Sequence, residues 1–256
     1  MSKPYFATRG PRLLAHRGLA VEAPENTLAA FIAALSVGAD YLETDARASS
    51  DGVAVLHHDA ALRLPARSDR PAREVVIAET TALALERLDL GEGNGVPSLA
   101  EALGGLPEAR SNIDVKSADA VGPVVEAVRR AKAADRVLLT SFSAGRRRRA
   151  TAGLPGVATS AAAPRVLLAA VGAGLGLQPL VRLAARGVDA LQVPERQGPL
   201  TIVDRRRIAA YHRAGLEVHV WTVNEPADME RLLDLGVDGL VTDRADLAAP
   251  IVAARR

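Results

Sequence analysis

Residues 217–242, EVHVWTVNEPADMERLLDLGVDGLVT, read as one strand–helix–strand unit. The strand-like run Glu217–Val223 gives way at Pro226 to a helix in which Met229, Leu232 and Leu233 fall at three- and four-residue spacing. Proline suits the first turn of a helix, and Gly236 supplies the stop. The next run, Gly239–Thr242, is strand-like again. Two strands joined through a helical crossover lie parallel in one sheet.

The same unit recurs upstream. Further strand candidates are Arg12–Ala15, Asp40–Asp45, Asn112–Lys116, Val137–Ser141, Val157–Ser160 and Ala190–Val193. Between the first two, Leu28, Phe31, Ile32 and Leu35 mark an amphipathic helix, with Asn26 or Thr27 as its N-cap and Gly38 just past its end. Eight such strands alternating with helices are the pattern of a parallel sheet closed into an α/β barrel. A chain of 256 residues has the usual size of one such barrel, about 250 residues, and no composition shift marks a second unit, so residues 1–256 read as a single domain.

One segment breaks the alternation. Val53–His58 reads as a strand, but Ala46–Gly52 is too short for a parallel crossover, and Ser50-Asp51-Gly52 is a turn signal. An antiparallel hairpin follows, which climbs from the barrel after Asp45 and returns His58 to about the same level. Residues 60–97 then form a long excursion rich in Arg, Pro and charge, expected as a lid or substrate-binding insertion at the C-terminal mouth.

Composition narrows the function. The absence of cysteine excludes disulfides, zinc–thiolate sites and thiol chemistry. Lys and Arg number 32 against 30 Asp and Glu, and aromatic residues are 3%, which leaves neither the basic stripe nor the stacking rings of a nucleic-acid binder. The four-arginine run Arg146–Arg149 reads as a solvated helix face. Val166–Val181 is apolar but broken by glycine and proline and shorter than the ~20 residues of a membrane span, so it reads as a buried helix and its turn. The opening MSKPYFATRGPRLLAHRG has no apolar leader, and a cytoplasmic location is expected.

In a parallel barrel the chemistry sits at the C-terminal strand ends. The first strand ends at His16-Arg17-Gly18, the second carries Glu43 and Asp45 on one face, and the third carries Asp114 and Lys116 on one face. The hairpin returns His57-His58-Asp59, of which one histidine can enter the site, and the Glu217 strand ends with Trp221 and Asn224. Glu43, Asp45 and Asp114 make a hard-oxygen site for Mg²⁺ or Ca²⁺, and without a cation they would repel one another. Arg17 and Lys116, the latter one of only three lysines, suit phosphate oxygens. His16 and His58 are natural acid and base. Trp221 reads as core or substrate wall, and His212 and His219 as structural or exposed.

The strings AHRGLAVEAPENTLAAF, ETDARASSDGVAVLHHD, NIDVKS and VHVWTVNEPADMERLLDLGVDGLVTDRADL, in this order from about Leu13 to Leu247, resemble the glycerophosphodiester phosphodiesterase family. The resemblance implies a TIM (β/α)8 barrel with an insertion after the His-Asp pair. It also implies hydrolysis of small-molecule glycerophosphodiesters to glycerol 3-phosphate and an alcohol with one divalent cation, Mg²⁺ or Ca²⁺. It places the catalytic pair on His16 and His58, choosing His58 because it directly precedes Asp59. The metal carboxylates fall on Glu43, Asp45 and Asp114, and the phosphate contacts on Arg17 and Lys116. Most members carry Glu where Asp114 stands, and Ala61-Leu62-Arg63-Leu64-Pro65 replaces the usual stretch after the His-Asp pair. Two other readings share this pattern: a lysophospholipase D or sphingomyelinase D-like enzyme, which needs an apolar groove, and a non-catalytic phosphate-binding barrel.

Overall fold

The computed structural model describes residues 3–8, 10–66 and 71–256. Strands form where apolar residues are buried on both faces, as helix-covered parallel sheets require. In chain order the first half runs β1 (Arg12–His16), α1 (Leu28–Ser36), β2 (Tyr41–Ala48), β3 (Ala54–Leu56), β4 (Ala61–Leu64), β5 (Arg73–Val76), α2 (Ala82–Glu86), α3 (Leu99–Gly105), β6 (Arg110–Val115) and α4 (Val121–Arg130). There follow β7 (Val137–Thr140), α5 (Ala144–Ala152), β8 (Ala158–Thr159), α6 (Ala163–Gly174), α7 (Gln178–Ala185) and β9 (Ala190–Val193). A small ribbon, β10 (Arg196–Gln197) and β11 (Leu200–Thr201), precedes α8 (Arg205–His212), β12 (Glu217–Val220), α9 (Pro226–Leu235), β13 (Gly239–Thr242) and α10 (Ala245–Ala253).

Eight parallel strands follow the order β8-β7-β6-β2-β1-β13-β12-β9. The two ends meet at one bridge, Ser160 to Ala190, flanked by Asp189 N–H donating to Thr159 O at 2.8 Å and Ala161 N–H to Ala190 O at 2.9 Å. The α/β barrel expected from the sequence is therefore present, nearly closed, with a seam between β8 and β9. Thr27, not Asn26, caps α1 by accepting from Ala30 N–H at 3.2 Å, and Gly236 closes α9 at φ +98°.

β3 pairs antiparallel with β2, Ala46 opposite Leu56, and His57 N–H reaches Asp45 O at 3.0 Å, so the hairpin does return the histidines to the barrel rim. The 60–97 excursion is less irregular than its composition implies. It folds as the β4–β5 ribbon and α2 over a satellite core of Val55, Leu62, Ile77, Leu85 and Val96; residues 67–70 of it lie outside the described residues.

The barrel's lower end is plugged. A turn at Pro4–Phe6 inserts Tyr5 and Phe6 among Leu14, Tyr41, Leu138 and Val241, and the Tyr41 hydroxyl donates to Tyr5 O at 2.8 Å. Two expectations are corrected. Val166–Val181 is not a buried helix: it spans parts of α6 and α7, whose outer face leaves Leu167, Val171, Leu175 and Leu177 exposed. Nor is Arg146–Arg149 simply solvated, because Arg147 is buried against Thr159. No helix of the described residues is long and apolar enough to cross a membrane.

Candidate active site

Past β1 the backbone turns sharply, with Arg17 at φ +56° and Gly18 at φ +86°. A Cβ on Gly18 would stand 2.7 Å from the Ala30 backbone, so this turn, which presents His16 and Arg17 at the mouth, admits only glycine there. His16 Nδ1 lies 2.6 Å from Asp243 Oδ1, just beyond β13. Asn224, beyond β12, donates to the other Asp243 oxygen at 2.8 Å and accepts from Asp243 N–H at 2.9 Å. Burial pushes the His16 imidazole down, but the Asp243 hydrogen bond and the Glu43 charge outweigh it and hold the group above its ordinary value. The same hydrogen bond depresses Asp243.

Glu43 and Asp45 point inward from β2, and Asp114 from neighbouring β6, where it sits opposite Asp45. Lys116 Nζ lies 2.8 Å from both Asp45 Oδ1 and Asp114 Oδ2. Arg17 Nε stands 3.0 Å from Asp45 Oδ2, an ion-pair contact too poorly aligned to be a hydrogen bond, and Asn26 donates to the same oxygen at 3.2 Å. Burial raises Asp45, yet these cations pull it below its ordinary value; Asp114, with fewer partners, is raised by burial. Glu43 is pushed up to about 8 by burial and then by the Asp45 charge.

The hairpin splits its two histidines. His58 lines the main cavity, while His57 faces a separate hollow beside the β4–β5 ribbon. His58 Nδ1 lies 2.8 Å from Asp59 Oδ1, and Arg47 grips the His58 carbonyl at 2.7 and 2.9 Å. Trp221 forms part of the cavity wall, edge-on to Phe142 at 6.2 Å. The cavity holds about 830 Å³ and gathers His16, Arg17, Glu43, Asp45, His58, Asp114, Lys116 and Trp221, every residue the sequence nominated. His219, by contrast, is wholly buried near Glu217, 3.2 Å away.

Three further residues escaped the sequence reading. Asp243 meets the criterion that found His16, a polar residue at a strand's C-terminal end, and could have been found by it. Asn26, at φ +58°, accepts from Thr44 Oγ1 at 2.6 Å while donating to Asp45. Arg146 donates to Ser141 Oγ at 3.1 Å and to the Lys116 carbonyl, so a residue read as a solvated charge steadies the site lysine.

A divalent cation suits this donor set. Asp114 Oδ1 and Asn112 Oδ1 are buried acceptors lining the cavity without a hydrogen-bond partner, and Glu43 is driven toward its neutral form by its surroundings. Among the described residues no three His, Asp or Glu side chains are gathered tightly enough to ligate an ion as they stand, because the Lys116 ammonium lies between Asp45 and Asp114. The fit is thus one of chemistry, all-oxygen donors around an unbalanced negative pole, rather than of a finished coordination shell.

Comparison with known proteins places the chain among related sequences and folds. The model of the glycerophosphoryl diester phosphodiesterase family matches residues 16–247. A Mycobacterium tuberculosis protein named "Probable glycerophosphodiester phosphodiesterase 2" is 39% identical, with 98% of this chain and 94% of that protein covered. The crystal structure of a glycerophosphodiester phosphodiesterase from Agrobacterium tumefaciens superposes with a TM-score of 0.74 at 26% identity, over 95% of this chain and 99% of that one. A phosphodiesterase from Oleispira antarctica, solved in complex with its product sn-glycerol-3-phosphate, shares the fold with a TM-score of 0.76 at 23% identity, over 95% of this chain and 97% of that one.

Proposed function

Because the chain belongs to the glycerophosphoryl diester phosphodiesterase family, we propose that it hydrolyses glycerophosphodiesters to glycerol 3-phosphate and an alcohol in the cavity at its barrel mouth. One observation carries the assignment of roles: His16 and His58 line a single cavity, and each has its Nδ1 on a carboxylate. A carboxylate accepting from Nδ1–H fixes the tautomer and leaves Nε2 to exchange a proton with substrate.

The remaining roles follow from charge. Arg17 and Lys116 offer a guanidinium fork and a point charge to the non-bridging phosphoryl oxygens, offsetting charge that grows as the bond to the leaving oxygen breaks. One imidazole takes the nucleophile's proton as its oxygen bonds to phosphorus, and the other gives a proton to the departing alkoxide. The nucleophile is the glycerol hydroxyl next to the ester, giving a cyclic phosphate that water then opens. An analogue lacking that hydroxyl should therefore turn over far more slowly; equal turnover would point to direct attack by water. Glu43, Asp45 and Asp114 would hold the divalent cation, which when bound polarises the phosphoryl group.

The test is glycerol 3-phosphate release from glycerophosphocholine and glycerophosphoethanolamine with Mg²⁺, with Ca²⁺ and with EDTA, for the parent protein, His16→Ala and His58→Ala. Release that needs cation and falls by about 10²–10⁴-fold in each variant is expected. Release indifferent to both histidines would overturn the assignment.

A further inference from the structure

Across the barrel from the charged residues of β1, β2 and β6, the strand β9 carries a polar group that the proposed reaction does not use. In the ring of strands β9 stands four places from β2 in either direction, so a side chain pointing inward from it faces Glu43 and Asp45 across the cavity. Ala190 packs in the plug below, and Gln192, two residues on and on the same face of the strand, lines the cavity. We propose that Gln192 selects substrate: its Oε1 accepts a hydrogen bond from a hydroxyl or primary ammonium carried by the phosphodiester, and the buried His219–Glu217 pair fixes the amide in that sense. The inference rests on the phosphodiesterase reading above and names what the substrate carries at its end remote from the phosphoryl group.

Hydrogen bonds decide which end of the amide meets the ligand. His219, opposite Gln192 on β12, is wholly buried, and its ring lies against β13, where a Cβ on Gly239 would come within 3.0 Å of it. Its Nε2 is 3.2 Å from Glu217 Oε2, and the other Glu217 oxygen is 2.9 Å from Arg12 Nη2. A carboxylate accepts only, so Nε2 carries the proton and the neutral ring accepts at Nδ1. Gln192 Nε2 lies 3.4 Å from that Nδ1 and is its donor. The Gln192 Oε1 is left without a partner among the described residues and is not sealed from solvent, so it opens on the cavity.

The neighbouring groups do not make this choice. Trp221 lines the same wall and can pack against the carbon skeleton of a polyol or the methyl groups of a quaternary ammonium alike. Gln197, exposed on the β10–β11 ribbon, also lines the cavity, but no hydrogen bond among the described residues orients its amide, and it can offer either end. The Ser141 hydroxyl donates to Val115 O at 2.8 Å, and those of Thr140 and Thr222 are rotors. Gln192 is thus the acceptor on this wall whose sense is fixed. A ligand without a donor forfeits its hydrogen bond, and that loss is the discrimination.

Trp221 is the single tryptophan and borders the cavity, so its fluorescence reports binding without turnover. Two pairs of probes each differ in one donor. Phosphoethanolamine against phosphocholine tests the alcohol half, and glycerol 3-phosphate against propane-1,2-diol 1-phosphate tests the terminal hydroxyl of the glycerol half. In one pair the member with the donor should bind about tenfold more tightly, and that pair identifies the half that reaches β9. Gln192→Leu should bring the ratio to within about twofold of unity, whereas Gln192→Glu, which keeps an acceptor, should retain it. His219→Leu should erase the ratio and raise KM for the preferred diester far more than it lowers kcat. In the parent protein, nitrogen NMR shifts of His219 should show a proton on Nε2 and a bare Nδ1; a proton on Nδ1 would turn the amide round and overturn the proposal. Equal affinities within both pairs, or a ratio that survives Gln192→Leu, overturn the subsite and leave the phosphodiesterase reading intact. A ratio that depends on Gln192, with no diester cleaved under any cation, keeps the subsite and overturns that reading.

Discussion

His16 is polarised by a residue far away in sequence, and that residue controls its proton. Because the Asp243 hydrogen bond raises the imidazole against the pull of burial, Asp243→Asn should lower the His16 pKa and free the ring to adopt the other tautomer. We expect kcat/KM to fall by about 10²-fold or more, with the pH-profile limb belonging to His16 displaced to lower pH. A uniform fall with an unmoved limb would mean that Asp243 serves packing alone. Glu43 yields a second residue-level prediction. With its pKa at about 8, a cation arriving below that pH must displace a proton, so apparent Mg²⁺ or Ca²⁺ affinity should climb as pH rises toward 8 and level beyond it. Trp221 fluorescence titrations at several pH values check this, and Glu43→Gln should abolish the slope.

At the scale of elements, the junction of α8 with the loop before β13 carries a separate titration. His212 Nε2 lies 2.7 Å from Asp238 Oδ2, the oxygen that also accepts from Val218 N–H at 2.7 Å. That hydrogen bond raises His212 despite partial burial. A histidine held above its unfolded value, about 6.5, contributes stability that is full below that pH and is lost as pH rises through the folded value. His212 is 40% exposed, so solvent screens the effect. His212→Asn should reduce the difference in Tm between pH 5.5 and 8.5 by about 1–2 °C; an undiminished difference by calorimetry would refute the link. Elements were the most legible level of the sequence. Ala190–Val193 and Gly239–Thr242 lie where their periodicity and turn signals put them, because strand ends in a βα repeat are punctuated by glycine and helix caps. The Arg146 role and the outward face of α6 were not legible. Whether a charge folds inward onto a carbonyl, or a leucine outward beside a cavity, is decided by which neighbour the barrel brings alongside, and spacing within one helix does not encode that. The site was legible for the same reason as the strands: its residues cluster at strand ends, whereas the partners that orient them, Asp243 and Asn26, stand within the same strings but gain their roles only from the neighbours that the fold brings to them.

The molecule as a whole is a ring with a weak place. Seven of its junctions are strand ladders, while the eighth, between β8 and β9, has a single bridge reinforced from below. Asp189 accepts from Thr159 N–H at 2.9 Å and from Lys3 Nζ at 2.8 Å, and Lys3 also reaches Val157 O at 2.8 Å. Hydrogen exchange should accordingly be fastest, among the strands, at Ala158–Ser160 and Ala190, and Asp189→Ala should hasten it there before it lowers protection in β1 or β2. Uniform exchange around the ring would contradict the weak seam. Lys3 stands 154 positions before Val157 and 186 before Asp189. The residue that clasps the ring is thus made long before its partners on either side of the seam. During synthesis the early strands must wait: a fragment that stops before Asp189, however many strand–helix units it has completed, can hold Lys3 on Val157 but cannot join the two edges of the ring.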